Sequence, residues 1–273
     1  MSEDFTVCGL QAHSNKDELL KLSKEFNCPT LLSSEDNSEE AFNKLIDESK
    51  PDIVINGIAG AAGLLPSKVV LENKIDLALA NKETIVMAGP LIKKLAKENN
   101  VKLIPVDSEH SAIFNLVENF GSKNISKIVI TASGGPFREY SAEQLKDVTV
   151  EQALKHPTWN MGTKITIDSS TLANKGLEVI EAAYLFDVTH EQIEVVVHPQ
   201  SLIHSLVRTK DGMLYAQISD PDMKHPIFGA LCWPNYKDTY LKPFGFCRIA
   251  GRVRRFLQKI FYAGIYEYRK VYA

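Results

Sequence analysis

"PDIVINGIAGAAGLLPSKVVLENKIDLALANKET", residues 51–84, carries the pattern that decides the fold. "PDIVIN" is a short, nearly continuous apolar run, the composition of a strand covered on both faces. It passes through a turn containing Gly57, Gly60 and Gly63 into "LPSKVVLENK", which reads as a short helix. "IDLALA" then repeats the strand, and Asn81, Lys82 and Glu83 stand at its end. Strand, helix and strand in succession make a βαβ unit with parallel strands.

The alternation continues in both directions. Upstream, "FTVCGL" and "CPTLLSS" read as strands, "NKDELLKLSKEF" as a helix, and "SEEAFNKLIDESK" as a helix capped by Ser38. Downstream, "GPLIKKLAKENN" is an amphipathic helix and "VKLIPV" a closing strand. Residues 1–105 are therefore expected to form a Rossmann-like, doubly wound parallel α/β sheet. In such sheets ligands sit beyond the carboxyl ends of the strands.

From residue 106 to about 230 the pattern becomes α+β. "KIVITASGGPFR" gives a strand and a Gly-Gly turn, and "SAEQLKDVTVEQALKHP" a helix with connecting loop. "KITIDSSTLANKGLEVIEAAYLF" reads as a strand end, a Ser/Thr-rich cap and a helix. "IEVVVHPQSLIHSLVRTKDGMLYAQIS" reads as two strand-like arms around "KDG". Residues 231–273 form an atypical tail, ending in a stretch from Cys247 with seven Lys/Arg and one Glu. That stretch is expected to be a mis-joined end rather than a membrane-surface helix.

Bulk numbers exclude several classes. The chain has 273 residues, a formal charge of −3 and a pI near 6.2, so no global basic field points to nucleic acid or an anionic membrane. No apolar run approaches a membrane-spanning length, and "MSEDFTVCGL" lacks the basic start and apolar core of a signal peptide. The four cysteines have neither metal-type nor redox spacing, which suits a reducing compartment.

Several strings could carry chemistry. "DSEH", residues 107–110, places Asp107 and Glu109 where a strand should end. Asn174, Lys175 and Glu178 share one helix face by their i, i+3 and i, i+4 spacing. Hydroxyls, an amide, a lysine and a carboxylate on one face suit a phosphate beside a metal, although spacing alone favours an ordinary exposed Lys–Glu pair. Asp107, Glu109 and Glu178 together would offer oxygen ligands to Mg²⁺ or Mn²⁺, and would repel one another without a cation. Ser133, ahead of Gly134 and Gly135, marks an anion nest, and His156 before Pro157 either bonds a phosphate or caps a loop. Trp159 and Met161 read as an apolar lid or as core, with residue type favouring core. His198 and His204 read as structural or as bonding to the site residues from behind.

As whole strings the motifs are more specific. "GAAGLLP", "ANKET", "PVDSEHSAIFN", "TASGGPFR", "HPTWNMGTKITIDSSTLANKGLEVIEA", "VVHPQSLIHS" and "PDMKHPI" resemble the 1-deoxy-D-xylulose 5-phosphate reductoisomerase family, in order from about residue 5 to about residue 230. The resemblance implies a metal-assisted skeletal rearrangement of 1-deoxy-D-xylulose 5-phosphate and NADPH reduction to 2-C-methyl-D-erythritol 4-phosphate, in non-mevalonate isoprenoid synthesis. It implies Asp107, Glu109 and Glu178 as ligands of Mg²⁺, Mn²⁺ or Co²⁺, with Lys82 joining these acids as catalytic. It implies Lys82, Ser108, Glu109, Ser133, His156, Ser169, Asn174, Lys175 and Glu178 around the sugar phosphate. His13, Ser14, Asn15, Asn81, Glu83 and Gly162 would line NADPH, and Trp159 and Met161 would fall on a lid. A homodimer in a bacterial cytoplasm or plastid-type organelle is implied, with no nucleic acid and no membrane. The family's first Gly-rich strand-turn and helical C-terminal domain have no counterpart in these strings. This chain is accordingly expected to bind NADPH poorly, and a catalytically silent paralogue is the alternative.

Overall fold

The computed structural model describes residues 5–245, so the basic stretch 247–273 lies outside the described residues. Two compact units meet in sequence between Asp107 and Ser108.

The first unit alternates as its sequence requires. β1 (Leu10–Ala12), α1 (Lys16–Phe26), β2 (Thr30–Leu32), α2 (Glu39–Ser49) and β3 (Ile53–Asn56) come first. A 3₁₀ turn, Gly60–Gly63, leads into α3 (Leu64–Glu72), then β4 (Asp76–Leu79), α4 (Lys82–Asn99) and β5 (Leu103–Pro105). Every strand pairing is parallel, but the strands divide into a pair, β1-β2, and a trio, β3-β4-β5. Leu71, Leu77, Ile85 and Ile92 are fully buried in its core. The helices start where the caps dictate: Asn15 accepts from Glu18 N–H, Ser38 from Ala41 N–H and Asn81 from Thr84 N–H.

Two details differ from the sequence reading. "PDIVIN" is not wholly covered, since Ile55 is 42% exposed on a strand that pairs on one edge with β4. "NKE" is not a loop before a separate helix. Asn81 caps α4 and Lys82 opens it, and the helix reaches Asn99 with a kink at Ala88, two residues before Pro90, which has no N–H to give the preceding turn.

The second unit packs helices on a mixed sheet. Its elements are α5 (Ser108–Phe120), β6 (Ile125–Ala132), α6 (Val150–Ala153), α7 (Thr163–Ser170), α8 (Ala173–Phe186), β7 (Ile193–Val197), β8 (Ile203–Thr209), β9 (Leu214–Ile218) and α9 (Lys224–Cys232). The sheet runs β7-β6-β8-β9, with β6 and β7 parallel and the remaining pairs antiparallel. Ile113 of α5, Ile128 and Ile130 of β6, Ala182 of α8 and Val207 of β8 form the core on one sheet face. Val129 and Leu206 point to the other. The fold is mixed α/β, a Rossmann-like unit followed by an α+β unit.

Here too the structure corrects two segments. "KITID" is helical, not a strand end: Gly162 stands at the N-cap of this helix, and Thr166 Oγ1 donates back to Gly162 O at 2.8 Å, which satisfies its hydroxyl within the helix. The "KDG" region does join β8 to β9, with Gly212 at φ +88°. The first arm, however, breaks at His198–Leu202, so β7 pairs parallel to β6 instead of continuing into β8. Among the described residues no helix is long and apolar enough to cross a membrane.

Candidate active site

In the first unit, Lys82 lies 5% exposed in the opening turn of α4, and its Nζ stands 2.6 Å from Asp107 Oδ2. Burial makes such a pair interdependent, since removing one charge strands the other. Asn81 is buried beside it. Its amide donates to Ile58 O, to Gly60 O at 2.9 Å and to Glu83 Oε2 at 3.1 Å, while its oxygen accepts from Thr84. One side chain thus closes the Gly-rich turn onto the helix start. A Cβ at Gly63 would stand 2.7 Å from that amide, so only glycine permits the approach. His13, Ser14 and Asn15 follow β1 and lead into α1, all exposed, with His13 Nδ1 3.2 Å from Ser33 Oγ. Backbone N–H groups at such a helix start favour an anion.

In the second unit, Ser108 and Glu109 open α5, and Ser108 Oγ donates to Glu109 Oε2 at 2.6 Å. Lys175 and Glu178 project from the first turns of α8, on the shared face that their spacing implies. The Lys175 ammonium donates to Glu109 Oε1 at 2.7 Å and also to Glu178, while Asn174 Nδ2 donates to the other Glu178 oxygen. This is no exposed Lys–Glu pair: the Lys175 side chain is 8% exposed and that of Glu178 1%. Burial opposes the lysine charge, but the two carboxylates outweigh it and hold its pKa above the ordinary value. Behind them, His110 Nε2 donates to the main-chain oxygen of Glu178 at 2.9 Å, and its Nδ1 lies 3.4 Å from Glu181 Oε2. Sequence reasoning assigned neither His110 nor Glu181 a task. The signal was present in Glu181, three residues after Glu178 and so on the same buried face.

A second polar group lies at the carboxyl end of β6. Ser133 Oγ sits 2.9 Å from His156 Nε2. His156 Nδ1 accepts the backbone N–H of Thr158 at 3.1 Å and of Trp159 at 2.9 Å. Its lone pair being committed there, the neutral ring carries its proton on Nε2 and presents a donor toward Ser133. Burial, and then the nearby Arg138 guanidinium, keep the His156 pKa below the ordinary imidazole value. Gly135 has φ +68°, and a Cβ there would meet Ser169 O at 2.4 Å, so the Gly-Gly turn can lie against the end of α7 only without a side chain. Ser169 and Asn174 then flank the short bend between α7 and α8. Gly162 is exposed at the start of α7. Trp159 and Met161 are half-buried rather than core.

The site residues of the second unit therefore form two clusters: acids bridged by a lysine, and a serine–imidazole pair in a glycine cradle. The two carboxylates now share the Lys175 ammonium; together with the amide and hydroxyl oxygens at the rim, they are an oxygen-rich donor set of the kind hard divalent cations take.

Comparison with known proteins places the chain in a family. The family model described as 1-deoxy-D-xylulose 5-phosphate reductoisomerase matches residues 36–89, and that of the C-terminal domain of the same enzyme matches residues 103–186. The reductoisomerase of Treponema denticola is 51% identical over 253 residues, covering 90% of this chain and 66% of the relative. That of Chlorobaculum tepidum is 47% identical, covering 91% of this chain and 70% of the relative. A crystal structure of DOX-P reductoisomerase in complex with NADPH, fosmidomycin and magnesium superposes with a TM-score of 0.80 at 37% identity, over 89% of this chain and 67% of that one. The Zymomonas mobilis enzyme in complex with NADPH gives 0.80 at 36%. The chain thus spans about two thirds of the length of the relatives it matches. On these residues and this fold, the chain belongs to the 1-deoxy-D-xylulose 5-phosphate reductoisomerase family.

Proposed function

We propose that this chain carries the catalytic centre of an NADPH- and divalent-metal-dependent reductoisomerase acting on 1-deoxy-D-xylulose 5-phosphate and yielding 2-C-methyl-D-erythritol 4-phosphate. The observation that carries the reading is the buried Glu109–Lys175–Glu178 cluster, capped by Asn174, in the same unit as Ser133 and His156. Magnesium and NADPH in the related structures support it.

Glu109, Glu178 and Asp107, which precedes α5 in the chain, would hold the metal. Asn81, Glu83, Gly162 and the His13–Asn15 loop would line the cofactor. When bound, the metal supplies Lewis acidity at adjacent substrate oxygens and NADPH supplies the hydride. The chain's own residues do the rest. The His156 Nε2–H, the Ser133 and Ser169 hydroxyls, Asn174 and the Lys175 ammonium bind the phosphate, fixing one end of the substrate and so converting binding energy into orientation at the other. Lys82, buried and charged beside Asp107, stabilises negative charge on a substrate oxygen without the cost of reorganising water. The Trp159–Met161 segment covers the site and excludes water from the aldehyde that the rearrangement produces.

The relatives are bacterial enzymes, which supports a bacterial cytoplasmic setting. Family resemblance supports a homodimer, to be read by light scattering. The test of function is the oxidation of NADPH by the purified chain with 1-deoxy-D-xylulose 5-phosphate and Mn²⁺. Turnover that disappears in Glu109→Gln supports the reading; saturable NADPH binding with no turnover at any metal concentration refutes it.

A further inference from the structure

His198 is fully buried, and the proposed reaction does not use it. Its surroundings are nonetheless specific. Its Nε2 accepts two consecutive backbone N–H groups, from Leu202 at 3.0 Å and Ile203 at 3.1 Å. Its carbonyl accepts Ser201 N–H at 3.0 Å, and its own N–H donates to Ala132 O at 2.6 Å, the residue directly before Ser133. These bonds wrap residues 198–203 into a closed turn around one imidazole. Within it, Ser201 is 7% exposed and adopts φ +50°, a left-handed conformation that a serine takes only where its surroundings impose it.

That turn carries the segment which bears His156. Trp159 Nε1 donates to Ser201 Oγ at 3.3 Å, and Thr158 Oγ1 to Pro199 O at 3.1 Å. Thr158 and Trp159 in turn give their backbone N–H groups to His156 Nδ1. The chain of bonds therefore runs from the buried imidazole, through the strained Ser201, to the indole, and on to the ring that faces Ser133.

We propose that His198 is a positioning residue: its unprotonated Nε2 shapes the Pro199–Leu202 turn on which the Trp159 segment is anchored, and thereby fixes the tautomer and aim of His156. Burial, with His204 nearby, drives the His198 pKa down to about 4, so the acceptor is present throughout the neutral range. The inference goes beyond the proposed reaction, because it requires the anion cradle of the second unit but no particular substrate.

The test reads Trp159 directly. In a Trp233→Phe background Trp159 is the sole tryptophan, since the chain contains two. His198→Phe, which removes the acceptor, should move the Trp159 emission to the red and open it to acrylamide quenching. The same change should weaken inorganic phosphate binding about tenfold, the loss of roughly one hydrogen bond to a charged group. His198→Gln, whose amide oxygen can reach the position of Nε2, should restore both. Ser201→Gly tolerates the left-handed turn and removes the hydroxyl together with its Cβ, so it should free Trp159 even if His198→Phe does not fold. Unchanged Trp159 emission and quenching in folded His198→Phe, or in Ser201→Gly, would overturn the proposal.

Discussion

Lys175 Nζ donates to Glu109 Oε1 at 2.7 Å across 66 residues of sequence. Both side chains are largely buried, and Glu178 shares the same ammonium. A lysine thus balances two acids that would otherwise stand uncompensated. If these acids are also metal ligands, lysine and metal stabilise the same pair.

Replacing Lys175 by Met should accordingly leave two buried carboxylates facing each other. We expect a loss of about 3–5 kcal/mol in urea unfolding without divalent ions, as for breaking one side of a buried ion pair. Added Mn²⁺ should raise the melting temperature of the variant more than that of the parent. An unchanged midpoint without metal would show that the acids are already neutral.

Glu178→Gln keeps the shape of the side chain and removes its charge. Mn²⁺ affinity by calorimetry should fall at least about a hundredfold, since even outer-shell changes cost tenfold to a hundredfold. Comparable binding by parent and variant would remove Glu178 from the ligand set.

Gly135→Ala tests the cradle. The added Cβ would need a left-handed backbone and would meet Ser169 O at 2.4 Å. A cost of at least about 2 kcal/mol is expected from conformation and clash together. Because the clash separates Ser133 from α7, phosphate affinity in the folded fraction should fall as well. Gly229→Ala in α9, with nothing within 4 Å of its Cβ, is the control.

Acid should weaken the fold through His198. Its folded pKa of about 4 lies below the ordinary 6.5, so between those values the unfolded chain binds a proton that the folded chain does not. Its contribution is complete above pH 6.5 and is lost as pH falls toward 4, by up to about 3 kcal/mol. Urea midpoints at pH 7, 6 and 5 should decline less steeply in His198→Phe than in the parent. Parallel declines would place the acid sensitivity elsewhere.

Much of this architecture is legible in the sequence. The βαβ rhythm of residues 51–84 and the cap at Ser38 are local signals, and local physics honours them. The shared face of Asn174, Lys175 and Glu178 comes from helical spacing alone. What spacing does not supply is burial. Lys175 reads as a solvated partner of Glu178 until Glu109, distant in sequence, closes over it. "KITID" folds as a helix although its β-branched residues read as strand, and its Thr166 hydroxyl finds a local partner four residues back at Gly162. His110 and His198 are hidden for a related reason. Each acts on backbone groups, and a backbone partner leaves no residue type in the sequence to search for.

The joint between α5 and α8 has a consequence for how such a chain can change by insertion and deletion. Glu109 grips α8 through a side chain, and the adjoining His110 grips it through the main-chain oxygen of Glu178. Adding or deleting one residue between Asn174 and Glu178 would swing the rest of the helix by about 100° around its axis. Both grips would then miss at once, and no nearby substitution could restore them. A change of length here would therefore cost more than one in a surface loop, and this stretch is held in count as well as at Asn174, Lys175 and Glu178.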